Sequence, residues 1–129
     1  MTKAELLQRI EAASGPDRVL DGDVWHALTA KPGDVWVNDF ADGVYHLQDP
    51  RDTIAYEAPP DLTASIDAAI ALVERLLPGR QITMRIDEKD GPRPHSVIAA
   101  TWFAQCNTLP LAILAALLRA LIAKEAEHG

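Results

Sequence analysis

The chain has 129 residues, 48% of them hydrophobic, and a formal net charge of −7 from 19 acids and 12 bases. This length and composition predict one folded domain, residues 1–129, and exclude intrinsic disorder. Cys106 is the only cysteine, which excludes an intramolecular disulfide and a zinc site built from cysteines. A net acidic chain repels phosphate, so we expect no direct binding to nucleic acid.

Two helices are predicted at the start of the chain. Thr2 and Glu5 have the spacing of a capping box, and apolar residues then recur on one helical face up to about residue 13. A second helix follows, with apolar residues at every fourth position from Leu20 to Leu28. The N-terminus has no apolar run of signal-peptide length, so we expect a cytoplasmic protein.

The next segment predicts strands and then a third helix. Two β-branched and aromatic runs, residues 35–40 and 44–47, flank a turn sequence and predict a hairpin, and residues 53–56 predict a short edge strand. A third helix is then predicted from a cap at Thr63 to the stop at Pro78 and Gly79. Its expected apolar stripe is Ile66, Ile70, Val73 and Leu77.

The last third of the chain predicts two strands and a buried helix. Residues 81–86 alternate in polarity, whereas residues 97–103 do not and predict one interior strand covered on both faces. The final helix is capped by Thr108 and is apolar over residues 109–123 except for Pro110 and Arg119. At about 1.5 Å per residue this run is too short for a roughly 30 Å membrane core, so we expect a core helix and no membrane contact.

That final helix has two predicted faces. The leucine face is expected in the core, and it consists of Leu111, Leu114, Leu118 and Leu121. The small-residue face is expected outside, where a second copy could approach closely in a homodimer. This outer face consists of Ala112, Ala116, Arg119 and Ala123.

The predicted fold class is α/β, with the element order α-α-β-β-(β)-α-β-β-α in a single-domain α/β/α sandwich around a largely antiparallel sheet. Residues 12–18, 62–73 and 107–120 resemble, in their order and spacing, the phage ABA sandwich domain family of small phage and prophage proteins. The resemblance implies the sandwich fold and a phage or prophage origin. It implies no catalytic residue, because the shared positions are helix caps and packing residues.

One group of residues has the composition of a metal site. Asp21, Asp23 and His26 have helical spacing that could bring ligands together. The ligand set is incomplete, so we expect a solvated polar face instead. No metal or cofactor is therefore predicted.

Three further residues carry side chains of the types used in catalysis. Histidine as a residue type can act as a general base near neutral pH, yet neither His46 nor His95 has a nucleophile paired with it in the sequence. Cys106 lies in an apolar neighbourhood, which favours packing over reactivity. We therefore predict no catalytic residue.

The region from Asp34 to Asp61 holds seven acids against Arg51 alone, interleaved with aromatic residues. Solubility alone explains many acidic surfaces. Aromatic anchors among steering carboxylates, however, are typical of a site for a basic protein. The predicted partner-binding residues are Asp34, Trp36, Asp39, Asp42, Tyr45, Asp49, Asp52, Tyr56 and Glu57.

The predicted function is a non-enzymatic accessory protein of a phage or prophage that binds a basic surface of a host protein in the bacterial cytoplasm. One form of this hypothesis is an inhibitor of a nucleic-acid-directed defence system, such as an anti-CRISPR protein that blocks the effector's phosphate-binding groove. Two alternatives remain open at this point. They are a small hydrolase-like enzyme with a His/Asp pocket and an oligomeric phage assembly accessory.

Overall fold

A computed structural model describes residues 2–29, 35–38, 45–48, 54–57, 59–79, 82–86, 95–99 and 102–128. Within these ranges there are four helices and six strands. The helices are α1 (Lys3–Ala12), α2 (Arg18–Thr29), α3 (Ile66–Leu76) and α4 (Leu109–His128). The strands are β1 (Val35–Asn38), β2 (Tyr45–Gln48), β3 (Ile54–Glu57), β4 (Ile82–Ile86), β5 (His95–Ala99) and β6 (Trp102–Cys106).

Helix α4 occupies the centre of the fold. Every residue from 110 to 118 is buried, and α1, α3, β5 and β6 all contact this helix. Thr108 begins it as predicted, since its hydroxyl accepts a hydrogen bond from the amide of Leu111 at 3.4 Å. None of the helices in the described ranges is long and apolar enough to cross a membrane.

The strands form two separate three-stranded meanders. The first sheet has the order β1-β2-β3 and the second the order β4-β5-β6, and all neighbours are antiparallel. In the second sheet Ala104 and Cys106 are buried, whereas Thr83, on the face of opposite parity, is exposed. One face of this sheet therefore covers α4.

The predicted α/β/α sandwich is wrong. The fold is mostly helical, and the described strands do not form one sheet enclosed between helical layers. Nearly all of the described buried apolar side chains lie on the four helices or directly beside them. The physical reason is the composition of α4, because a helix that is apolar around most of its circumference must be covered on several sides and takes the central position.

The interior strand predicted over residues 97–103 is also wrong. Two antiparallel strands replace it, β5 and β6, with Ala99 opposite Trp102. Residues 95–99 do lie in the middle of the sheet, paired with both β4 and β6. Sequence patterning missed the reversal because the apolar run contains no Gly, Pro, Asn or Asp to signal a turn.

Helix α3 begins two residues later than predicted. Ser65 is its N-cap, and the Ser65 hydroxyl accepts a hydrogen bond from the amide of Ala68 at 3.2 Å. Ile66, predicted in the buried stripe, is 39% exposed. Val73 and Leu77 of the predicted stripe are buried, and Ala69 and Leu72 are buried beside them.

The small-residue face of α4 lies only partly outside, which corrects the expected position of two of its four residues. Ala112 and Ala116 have no exposed surface. Arg119 is exposed, and its guanidinium donates to Glu11 of α1 at 2.8 Å. The chain itself therefore covers Ala112 and Ala116 of the predicted dimer face and leaves Arg119 exposed.

We expect Ala116→Leu to lower the free energy of unfolding by about 1–3 kcal/mol, because three extra carbons must enter a filled core. Ala123→Leu, on the same helix but only half-buried, should change it by less than about 0.5 kcal/mol. Urea unfolding of both variants measures the difference. Equal stability of the two variants would contradict the central placement of α4.

Candidate functional site

The first sheet carries the predicted partner-binding aromatics. Its register pairs Trp36 with Leu47 and Tyr45 with Glu57. Because residues in register share a face and every second residue returns to it, Trp36, Tyr45 and Glu57 occupy one face of this sheet. Tyr56 has the opposite parity and is in register with His46 on the other face. The structure thus brings three of the four predicted strand residues to a common face.

The predicted aspartates of this region lie outside the described residues. They are Asp34, Asp39, Asp42, Asp49 and Asp52. Along the chain, two of them fall between β1 and β2 and two between β2 and β3.

The charge of this segment accounts for most of the protein's net charge. Residues 34–57 contain six acids and one base, a net −5, and the other residues contain 13 acids and 11 bases, a net −2. In the helical part several bases have internal acidic partners. These pairs are Lys3–Glu125, Arg9–Asp23 and Arg119–Glu11. The negative charge surplus is therefore concentrated in the first sheet and its connections.

Asp21 is a buried carboxylate, which corrects the expectation of a solvated polar face. It is 1% exposed, and Oδ1 accepts hydrogen bonds from the amide and the hydroxyl of Thr63, each at 2.7 Å. Its other oxygen accepts from Arg18 at 3.0 Å. A buried charge is tolerated only when it is hydrogen-bonded and paired in this way. Asp21 therefore joins α2 to the segment before α3.

The same network explains why Thr63 does not cap α3. Its hydroxyl also accepts a hydrogen bond from the amide of Asp17 at 2.8 Å. Asp17 in turn caps α2, since its carboxylate accepts from the amide of Leu20 at 3.1 Å. Sequence reasoning missed this junction because Asp17 and Thr63 are 46 positions apart.

The remaining candidate metal ligands do not converge with Asp21. Asp23 pairs with Arg9 at 2.6 Å, so its carboxylate is held by a neighbouring helix. Within the ranges that the structure describes, no group of three or more His, Cys, Asp or Glu residues could hold a metal ion.

The candidate catalytic residues are distributed over both sheets. His46 lies in the first sheet, in register with Val37 and Tyr56. His95 lies in the second sheet, in register with Cys106. The sequence did not reveal this second pairing, since it depends on the unpredicted reversal between β5 and β6. Cys106 is 0% exposed, and a thiol without solvent access cannot meet a substrate.

No protein family, curated protein or solved structure matches this chain.

We expect Asp21→Asn to lower the free energy of unfolding by about 2–3 kcal/mol, because it removes a buried charge-assisted bond and turns an amide group toward existing donors. Asp23→Asn is the matched control on the same helix. Its partly exposed pair should be worth no more than about 1 kcal/mol. Urea unfolding measures both values, and equal losses would argue against a structural junction at Asp21.

Proposed function

We propose that this protein is a non-enzymatic binding protein that recognises a basic protein surface through its first sheet and the connections between its strands, residues 34–57. The observation that supports this proposal is the uneven distribution of charge along the chain. This segment holds −5 of the net −7, while Lys3, Arg9, Arg18 and Arg119 are paired with acids of the same chain.

The chemistry of binding follows from this layout. The six acids of residues 34–57 steer a cationic partner over about 10 Å at 0.1 M salt. Trp36 and Tyr45, on the face shared with Glu57, supply aromatic area for the contact. Charge then controls the rate of association, and aromatic contact controls the rate of dissociation.

We further propose a phage or prophage origin and action in the cytoplasm of a host bacterium. The support is the resemblance of three segments to the phage ABA sandwich domain family, together with the acidic charge. Host proteins that bind nucleic acid carry basic grooves, and an acidic protein competes with phosphate for them. A CRISPR effector is one such target, and the proposal then describes an inhibitor of defence.

The decisive variant replaces Asp39, Asp42, Asp49 and Asp52 with Asn. We expect slower association with an immobilised lysine- and arginine-rich peptide and a shallower dependence of the rate on salt, because long-range attraction is lost. The free energy of unfolding should change by less than about 0.5 kcal/mol for each of the four substitutions. Surface plasmon resonance from low to high salt and urea unfolding give the two readouts.

A charge-matched control makes the test specific to this segment. Glu5, Asp67, Glu74 and Glu125 are exposed and lie on helices, so amides at these positions produce the same overall charge. The control should keep nearly the wild-type association rate. If both variants lose binding equally, net charge alone is responsible and the proposed surface is wrong.

The enzyme alternative predicts a different pattern in the same assays. His46→Ala or His95→Ala would then abolish the biological effect, measured as phage protection in an infected host, while the four-Asn variant would keep it. Under the binding proposal both histidine variants retain the effect and the four-Asn variant loses it. Comparing the three variants in one protection assay separates the two functions.

A further inference from the structure

The exit of the first sheet is bound to the start of α2 by a single guanidinium group. Arg18 donates to the carbonyl oxygen of Pro59 at 3.1 Å and lies 3.4 Å from that of Pro60. It also donates to the carboxylates of Asp61 at 2.8 Å and Asp21 at 3.0 Å. One side chain therefore contacts three consecutive residues that begin two positions after β3 ends.

We call the contacts of Arg18 with Asp21, Pro59, Pro60 and Asp61 the Arg18 clamp. These contacts contribute unequally to the stability of the fold. The Asp61 side chain is 68% exposed, so solvent screens its pair with Arg18. Asp21 is 1% exposed and Arg18 is 36% exposed, so solvent screens this pair less, and the two bonds from Thr63 fix the carboxylate. The buried carboxylate of Asp21 therefore fixes the position of Arg18. Arg18 in turn restrains the carbonyl oxygens of Pro59 and Pro60.

The two prolines, Pro59 and Pro60, connect the contacts of Arg18 to the sheet through a stiff segment of backbone. Proline fixes its own φ and restricts the residue before it, so two consecutive prolines make a stiff connection. Only residue 58 separates Pro59 from Glu57, the last residue of β3. Glu57 is in register with Tyr45 on the face proposed for binding. At the other edge of the sheet, β1 contacts α2 directly.

We infer that Arg18 is a positioning residue for the acidic sheet: it holds the exit of β3 on α2 and so fixes the binding face relative to the helical core. This inference rests on the proposed function of residues 34–57. The inference implies that the partner binds a preorganised surface. Less conformational entropy is then lost on binding.

The direction in which binding affinity changes on removing Arg18 distinguishes a positioning role from a purely electrostatic one. Arg18→Gln raises the negative charge of the protein, and by attraction alone it would bind a cationic partner more tightly. A positioning role predicts the opposite, since the sheet loses its restraint. Arg9→Gln is the matched control, because it removes the same charge and also breaks one ion pair of α2, between Arg9 and Asp23.

The experiment measures binding of the lysine- and arginine-rich peptide to full-length wild type, Arg18→Gln, Arg9→Gln and the four-Asn variant, at a temperature where circular dichroism shows each to be folded. We expect Arg18→Gln to bind roughly threefold to tenfold more weakly, mainly through faster dissociation. Arg9→Gln should bind as tightly as wild type or more tightly. Hydrogen exchange in peptides covering β3 and residues 59–64 should accelerate in Arg18→Gln only.

The outcomes distinguish the two proposals. If the four-Asn variant binds like wild type, or wild type does not bind the peptide, the proposed function fails and the role of Arg18 in binding fails with it. If the four-Asn variant loses binding but Arg18→Gln binds as tightly as Arg9→Gln, the function stands and the positioning inference is overturned. Equal hydrogen exchange in the two single variants would also overturn it.

Discussion

The burial of α4 is the constraint on which the rest of the fold depends. A helix without a polar face from residue 110 to 118 must exclude water on all sides, and one neighbour cannot cover it. Helices α1 and α3 and the second sheet share this task. Their apolar faces are therefore directed at α4, which leaves their polar faces for solvent and for ion pairs.

This arrangement separates the protein into two electrostatic parts. In the helical part, ion pairs such as Arg119–Glu11 and Lys3–Glu125 join α1 to α4 across the edges of the core. Residues 34–57 instead carry six acids with one base. With one base among six acids, this segment has few possible ion pairs within itself. The proposed binding role uses this separation, since it assigns the steering of a partner to residues 34–57 and leaves the ion pairs of the helical part in place.

Asp21 and Arg18 connect the two parts. A carboxylate that is buried and satisfied by three donors forms a rigid point, because breaking any one bond leaves a buried polar group unpaired. Through Arg18 this point extends to Pro59 and Pro60, where the acidic segment returns to the helical core. Stability and presentation of the proposed surface therefore depend on the same few hydrogen bonds.

The sequence by itself determined the features that depend on near neighbours: the caps at Thr2 and Thr108, the four helices, the alternation of β4 and the segregation of charge. Only the tertiary structure decided that the strands form two sheets, that Ala116 is buried and that Asp21 binds Thr63 across 42 positions. Local patterns report helix caps and periodicity because these arise within a few residues. Which faces meet is decided by packing the whole chain around α4, and no local pattern records that result.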